Sequence, residues 1–192
     1  MPPDALLSLV EILADVWSRL AAAGDRPDHP FRTAALATLG DDGAVTARTV
    51  VVRVVRPDAA EITFHTDRRS DKFAGLRAEP RCAMLFWDAG DKVQVRLQTR
   101  ATLHTDDAVA DALWATTPAP ARAMYASALA PGTALPAPSL TPPPKAGDGR
   151  AHFAAVRCVV ESIDWLYLHP VAHRRARFDL RDGAASSGFV AP

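Results

Sequence analysis

Charge of one sign is missing from this chain. Twenty-two Lys and Arg residues are offset by twenty-two Asp and Glu, a formal net charge of zero at pH 7. A neutral chain has no global field with which to hold a polyanion, so nucleic acid is not an expected partner. Cysteine is scarce: Cys82 and Cys158 are the two thiols, far apart and without C-x-x-C spacing. Each sits in an apolar run, which predicts buried free thiols rather than a metal or redox motif. No apolar run approaches the ~18 residues of a membrane span. The N-terminus has no basic stretch, and Asp4, Glu11 and Asp15 interrupt its apolar residues, so it does not read as a signal peptide. A cytoplasmic location is expected.

Catalytic motifs are missing as well. There is no G-x-S-x-G, H-E-x-x-H, Walker loop or G-x-G-x-x-G. The six histidines, at 29, 65, 104, 152, 169 and 173, lack metal-ligand spacing. Hydrolase, zinc and nucleoside-triphosphate chemistries have little support, and no metal is expected.

What is present is an ordinary globular composition, 48% hydrophobic and 23% charged. A length of 192 residues suits one domain. The run Arg48-Thr49-Val50-Val51-Val52-Arg53 is rich in β-branched residues, which suit a strand. Its two arginines are five residues apart and so leave on opposite faces. Before it, residues 5–22 carry an apolar stripe at helical spacing (Leu6, Leu9, Val10, Leu13, Val16, Trp17, Leu20), with Asp4 as N-cap and Gly24 as stop. Period-two alternation over 31–39, the turn Gly40-Asp41-Asp42-Gly43, the strand 44–55 and a third strand at 61–66 predict an antiparallel meander.

Ser70 is positioned to cap a short helix bearing Phe73 and Leu76. Arg68, Arg69 and Lys72 surround its N-terminus, which suits either a phosphate cradle or a solvated basic turn. Strands follow at 81–87 and 93–103, then a helix opened by Thr105-Asp106-Asp107 and another after Pro118. A proline- and glycine-rich loop over about 130–150 is either an active-site cover or a bypass. Strands resume over Phe153–Ile163 and Trp165–Leu168, then His173–Leu180, with a turn at Gly183 and a last short strand. The expected fold is mainly β (α+β): a six- to eight-stranded antiparallel split barrel with flanking helices. Arg48, Arg53, Lys72, Arg174 and Arg177 can hold a phosphorylated, planar ligand against Trp165. No side chain stands out as acid, base or nucleophile, so hard chemistry falls to a cofactor.

The ordered set of motifs carries a resemblance. Arg-Thr-Val-Val-Val-Arg (48–53), Phe-His-Thr (64–66), Ser-Asp-Lys (70–72), Leu-Phe-Trp (85–87), Gln-Val-Arg-Leu (94–97) and Trp165 followed by His-Arg-Arg-Ala-Arg-Phe (173–178) resemble the pyridoxamine 5′-phosphate oxidase family of FMN-binding split barrels. The likeness runs from about Phe31 to the C-terminal Val-Ala-Pro and is weakest over 117–150. It implies a homodimer with FMN at the subunit interface. It also implies flavin contacts from Arg48, Thr49, Val50, Val51 and Arg53, with Arg48, Ser70 and Lys72 near the phosphate. His65, Thr66 and Gln94 would add polar contacts, and Trp165 and Arg177 would close the site, from the partner subunit. Arg53, Trp114 and Arg174 would meet a small-molecule substrate.

Departures from the family pattern qualify the activity. Asp71 stands where the family commonly has arginine. The substrate-phosphate series Tyr…Arg…Ser falls on Leu113-Trp114 to Ala121, with no arginine before Arg122, and the family's Arg-x-His becomes Arg174-Arg175-Ala176. The expectation is an FMN-dependent oxidoreductase with weak or absent vitamin B6 phosphate oxidation. The alternatives are the true B6 enzyme with a rebuilt pocket, a non-catalytic flavin- or haem-binding barrel, and a deazaflavin-using relative.

Overall fold

The computed structural model describes residues 3–5, 8–40, 42–137, 145, 147–181 and 186–192. Among these, eight strands form one antiparallel sheet: β1 (Thr33–Leu39), β2 (Val45–Arg56), β3 (Glu61–Asp67), β4 (Arg81–Asp88), β5 (Val93–His104), β6 (Phe153–Tyr167), β7 (Arg174–Asp179) and β8 (Ser186–Phe189). Their order is β3-β2-β1-β4-β5-β6-β7-β8, and β3 also pairs with β6. That extra pairing closes β1–β6 into a six-stranded barrel, from which β7 and β8 project. The expected split barrel is observed.

The split has a local cause in β6. Its first half pairs with β3, from Phe153 opposite Asp67 to Val159 opposite Glu61. Its second half pairs with β7, from Ser162 opposite Asp179 to Tyr167 opposite Arg174. Against β5 the register slips at the same place, leaving Glu161 as an extra residue. Bulges bend a strand and sharpen its twist, which lets one edge of β6 change partners. Phe153–Ile163 and Trp165–Leu168, expected as successive segments, are therefore one continuous strand ending at Tyr167.

The barrel interior is filled by Leu36, Val52, Phe64, Phe86, Val95, Leu97, Ile163 and Trp165, each 0 or 1% exposed. Helix α1 (Leu9–Asp25) packs along β2 through Ile12, Val16, Leu20 and Ala23. It begins later than expected. Ser8, not Asp4, is its cap: the Ser8 hydroxyl accepts from the Glu11 N–H while the Glu11 carboxylate accepts from the Ser8 N–H. Gly24 lies inside the last turn rather than stopping the helix. Val10, placed in the expected stripe, faces solvent, and Leu6 lies outside the described residues. The guanidinium of Arg19 binds Asp15, Asp88 and Asp91, tying α1 to the β4–β5 hairpin.

Helix α2 (Asp71–Ala78) crosses the end of β1. A Cβ at Gly75 would stand 2.3 Å from the Leu39 carbonyl oxygen, so only glycine permits this approach. Helices α3 (Ala108–Thr116) and α4 (Ala119–Ala123) follow β5. Trp114, Tyr125 and Phe153 make an aromatic cluster beneath them. Cys82 and Cys158 are buried free thiols, as expected. The turn expected at Gly183 and residues 138–144 of the proline-rich loop lie outside the described residues. No helix among the described residues is long and apolar enough to cross a membrane.

Candidate functional site

The site is organised by β2. Residues directly opposite in an antiparallel ladder share a face. Arg48 lies opposite the buried Leu36, and Thr46 opposite the buried Thr38, which places all four on the core side of the sheet, at its open end. There the Arg48 guanidinium donates to the hydroxyls of Thr38 and Thr46, each at 2.6 Å. Val50 and Val52 continue the same face into the core, while Thr49 is exposed and Val51 half-buried on the other.

The second half of this cradle comes from β3 and α2. Lys72 Nζ donates to Thr66 Oγ1 at 3.2 Å, and Thr66 Oγ1 lies 3.2 Å from Ser70 Oγ. Thr66 and Ser70 are both buried. The Lys72 ammonium is pulled below its ordinary pKa, first by burial and then by the nearby Arg48. Burial also lowers Arg48, with Asp71 acting in the opposite sense. Among the described residues, no carboxylate lies within ion-pair distance of either cation. Two neighbouring cations, oriented by the Thr38, Thr46 and Thr66 hydroxyls, and a helix N-terminus make a donor set suited to a dianionic phosphate.

Other expectations about this end need correction. Arg68 and Arg69 do not join the cradle: Arg68 binds Asp106 at 2.9 Å, and Arg69 binds Asp67 at 2.7 Å while donating to the Ser127 carbonyl. Ser70 occupies the N-cap position of α2, but its hydroxyl donates back to the Asp67 carbonyl and makes no capping bond. The first part of the proline-rich segment lies over this corner, since a Cβ at Gly132 would come within 3.9 Å of the Asp71 carboxylate.

Arg53 serves a different place. The β2–β3 register shifts between Val52 and Val54, so Arg53 is the extra residue of a bulge, a device that re-aims a side chain. It lines a cavity of about 200 Å³ with Arg32, Val54, His65, Leu113, Thr116, Thr117 and Pro118. His65 packs edge-on against Phe153, and its Nε2 is enclosed without a hydrogen-bond partner. Burial, with a smaller contribution from Arg53, brings its pKa down to about 4, so the imidazole is neutral at pH 7. Trp114 lies beside this cavity, in the aromatic cluster, with the Arg122 guanidinium over its ring.

The late motif does not reach either place within one chain. Trp165 is 0% exposed in the barrel core, with its indole N–H unpartnered, so it offers no wall for a planar ligand. It is the inward alternation of β6, set by its pairing with Val95 and Ala176, that puts it there. Arg177 binds Asp164, which also receives Arg96 and Arg175. Burial pushes the Asp164 carboxyl up, but the three guanidiniums hold it at about 2. This cluster borders a second, open cavity of about 570 Å³ with Gln98, Arg181 and Ser187. Arg174 donates to the Pro3 carbonyl and lies over the Tyr167 ring, away from Arg53 and Trp114. Gln94 is half-buried on β5, opposite Trp87 and Leu166.

Sequence reasoning missed Thr38 and Thr46, which orient Arg48, and Gly75, which seats α2. The pairing register and the close approach that give these residues their roles are not local features of the chain.

Comparison with known proteins agrees with this architecture. A sequence profile described as pyridoxamine 5′-phosphate oxidase matches residues 29–151. The chain is 37% identical over 119 residues to a pyridoxine/pyridoxamine 5′-phosphate oxidase of Anaeromyxobacter dehalogenans, covering 62% of this chain and 57% of the relative. It is 35% identical over 104 residues to one from Burkholderia lata, covering 54% and 46%. The chain thus spans about half the length of the curated relatives it matches. Among solved structures, a pyridoxamine 5′-phosphate oxidase-related, FMN-binding protein of Nostoc punctiforme superposes with a TM-score of 0.77 at 21% identity, covering 97% of this chain and all of that one. PhzG of Burkholderia lata, solved with tetrahydrophenazine-1-carboxylic acid, gives 0.71 at 20% identity, covering 98% and 95%. At those identities the structural likeness speaks to the fold, while the profile match over most of the chain settles kinship: this chain belongs to the pyridoxamine 5′-phosphate oxidase family.

Proposed function

We propose that this protein is an FMN-dependent oxidoreductase that acts on a small organic molecule. The observation that carries the reading is the pair Arg48 and Lys72, held near each other among Thr38, Thr46, Thr66 and Ser70, with no carboxylate among the described residues bound to either cation. Such a cradle is matched by the phosphate of a flavin mononucleotide. Arg48, Thr66, Ser70 and Lys72 would hold that phosphate, and the backbone between Thr49 and Arg53 would line the rest of the cofactor. When bound, FMN supplies a two-electron acceptor for substrate hydride. The chain's own groups bind, orient and exclude water.

The protein would act as a homodimer with the flavin between copies. Arg177 and Gln94 do not meet the cradle within one chain, so a second copy is their route to it. Leu85 and Trp87 on the outward side of β4 are 39 and 43% exposed, an apolar patch of the kind that interfaces cover.

The second reading is the B6 phosphate oxidase itself. Against it, Leu113 and Thr117 line the cavity beside Arg53, so the tyrosine hydroxyl and the arginine charge expected of a substrate-phosphate clamp are missing at those positions. Purified protein should be yellow and release FMN on heating. A Soret band would favour haem, and a colourless protein that refuses added FMN would overturn both flavin readings. Pyridoxamine 5′-phosphate under air should then give little or no peroxide; rapid peroxide formation would favour the second reading.

A further inference from the structure

We propose that Thr38 and Thr46 are positioning residues for the cofactor phosphate: they hold the end of the Arg48 guanidinium and leave its side, Nε–H with one Nη2 hydrogen, as a fork for two phosphate oxygens. This deepens the flavin reading and rests on it for the identity of the ligand.

The pair is built by the β1–β2 hairpin. Its register sets Thr38 directly opposite Thr46, and two residues further along β2 puts Arg48 on the same face. Threonine is stiff at χ1, so each hydroxyl has few directions open to it. The two oxygens stand 3.5 Å apart, and Arg48 meets both at 2.6 Å, Nη1 on Thr38 and Nη2 on Thr46. A longer contact of 3.4 Å runs from Nη1 to the Leu36 carbonyl. Arg48 Nε donates to nothing among the described residues. The donors left over are therefore adjacent, and such a fork matches two oxygens of one phosphate.

What holds Arg48 matters as much as where it is held. Arg68 and Arg69 are bound by the carboxylates of Asp106 and Asp67, which offset their charge. Hydroxyl oxygens are neutral acceptors, so they fix the direction of the guanidinium while its charge stays available to an anion. A freely moving arginine loses side-chain entropy when it binds; one already held has lost much of it on folding. The two threonines are not equal. Thr38 is 4% exposed, and a Cβ on Gly75 would stand 4.0 Å from its Oγ1, so α2, which carries Lys72, backs onto it. Thr46 is exposed, where water competes for the bond. Thr38 should carry the larger share.

The test titrates FMN and riboflavin into apoprotein variants, followed by flavin fluorescence. Thr38→Val nearly keeps the shape, suits a strand and removes the acceptor. FMN affinity should fall about tenfold, riboflavin affinity should hold, and Thr38→Ser should recover most of the loss. Thr46→Val should weaken FMN by about threefold. In an Arg48→Ala background, Thr38→Val should weaken FMN no further, because its effect runs through that guanidinium. Wild-type FMN affinity in Thr38→Val, an equal loss for riboflavin, or the same loss without Arg48 would overturn the proposal. Inorganic phosphate, followed by the ¹⁵N resonance of Arg48 Nε, separates this failure from that of the flavin reading. A saturable Nε shift that weakens in Thr38→Val, in a protein that refuses FMN, sinks the flavin reading alone. FMN binding indifferent to Thr38 sinks this inference alone.

Discussion

Lys72 and Arg48, from α2 and β2, stand close enough at one end of the barrel for their like charges to repel, and the Lys72 ammonium is lowered by its burial and by that neighbour. Folding does not bring two cations together without an anion unless something else holds them. Here Gly75 presses α2 onto Leu39, and the Thr38, Thr46 and Thr66 hydroxyls accept the cations' hydrogens. A bound phosphate would relieve the repulsion, which makes each of these groups testable.

Lys72→Ala removes one charge-assisted bond to the phosphate. FMN affinity should fall by about 1.5–3 kcal/mol, roughly 10- to 150-fold, measured by quenching of flavin fluorescence. Unchanged affinity would mark Lys72 as a surface charge only.

Asp71 pulls the opposite way. It raises the pKa of both Arg48 and Lys72, so it occupies part of the field that a phosphate would use. Asp71→Asn should tighten FMN by roughly 0.5–1 kcal/mol. The same change should slightly lower thermal stability without FMN, because a carboxylate in the first turn suits the α2 dipole. Weaker FMN binding would show that Asp71 orients the cradle rather than opposing it.

Gly75→Ala tests how α2 is seated. The new methyl group meets a backbone carbonyl, which cannot swing aside like a side chain. Unfolding free energy should drop by about 1–3 kcal/mol, and FMN affinity should fall with it as Lys72 is displaced. Wild-type stability in urea would show that the helix has room.

His65 gives the protein a pH dependence of known sign. Its folded pKa, about 4, is below the ordinary 6.5 because burial and Arg53 disfavour the charged ring. Between pH 6.5 and 4 the unfolded chain takes up a proton that the folded chain refuses. Stability from this residue is therefore complete above pH 6.5 and is lost as the pH falls toward 4, by up to about 3 kcal/mol. His65→Gln should flatten that part of the profile in denaturant melts. An identical slope in the variant would assign the loss to other groups.

The sheet was legible in the sequence because β5 alternates apolar and polar residues, β2 is rich in β-branched residues, β4 is an apolar run and the turns are marked. Arg48 and Lys72 were legible from motif order. Three kinds of information were not. The expected cap of α1 was Asp4, at the head of the apolar stripe, whereas the Ser8–Glu11 box that caps the helix lies inside that stripe, where the apolar spacing alone marks no start. The bulges at Arg53 and Glu161 depend on partner strands, so neither the re-aimed arginine nor the split in β6 has a local signature. Arg68 and Arg69 suited either a phosphate cradle or a solvated turn; Asp106 lies 38 residues from Arg68, so no spacing rule links that pair, and the Asp67–Arg69 pair depends on the turn that brings them together. Trp165 had an aromatic's promise as a ligand wall, but its alternation with Ile163 and Tyr167 put it inside.

The comparison of FMN with riboflavin, which differ by the phosphate alone, tests the central claim most directly. Titrated against the same apoprotein at the same ionic strength, FMN should bind about 100-fold or more tighter, and Lys72→Ala should erase most of that difference. Riboflavin binding as tightly as FMN would contradict the account.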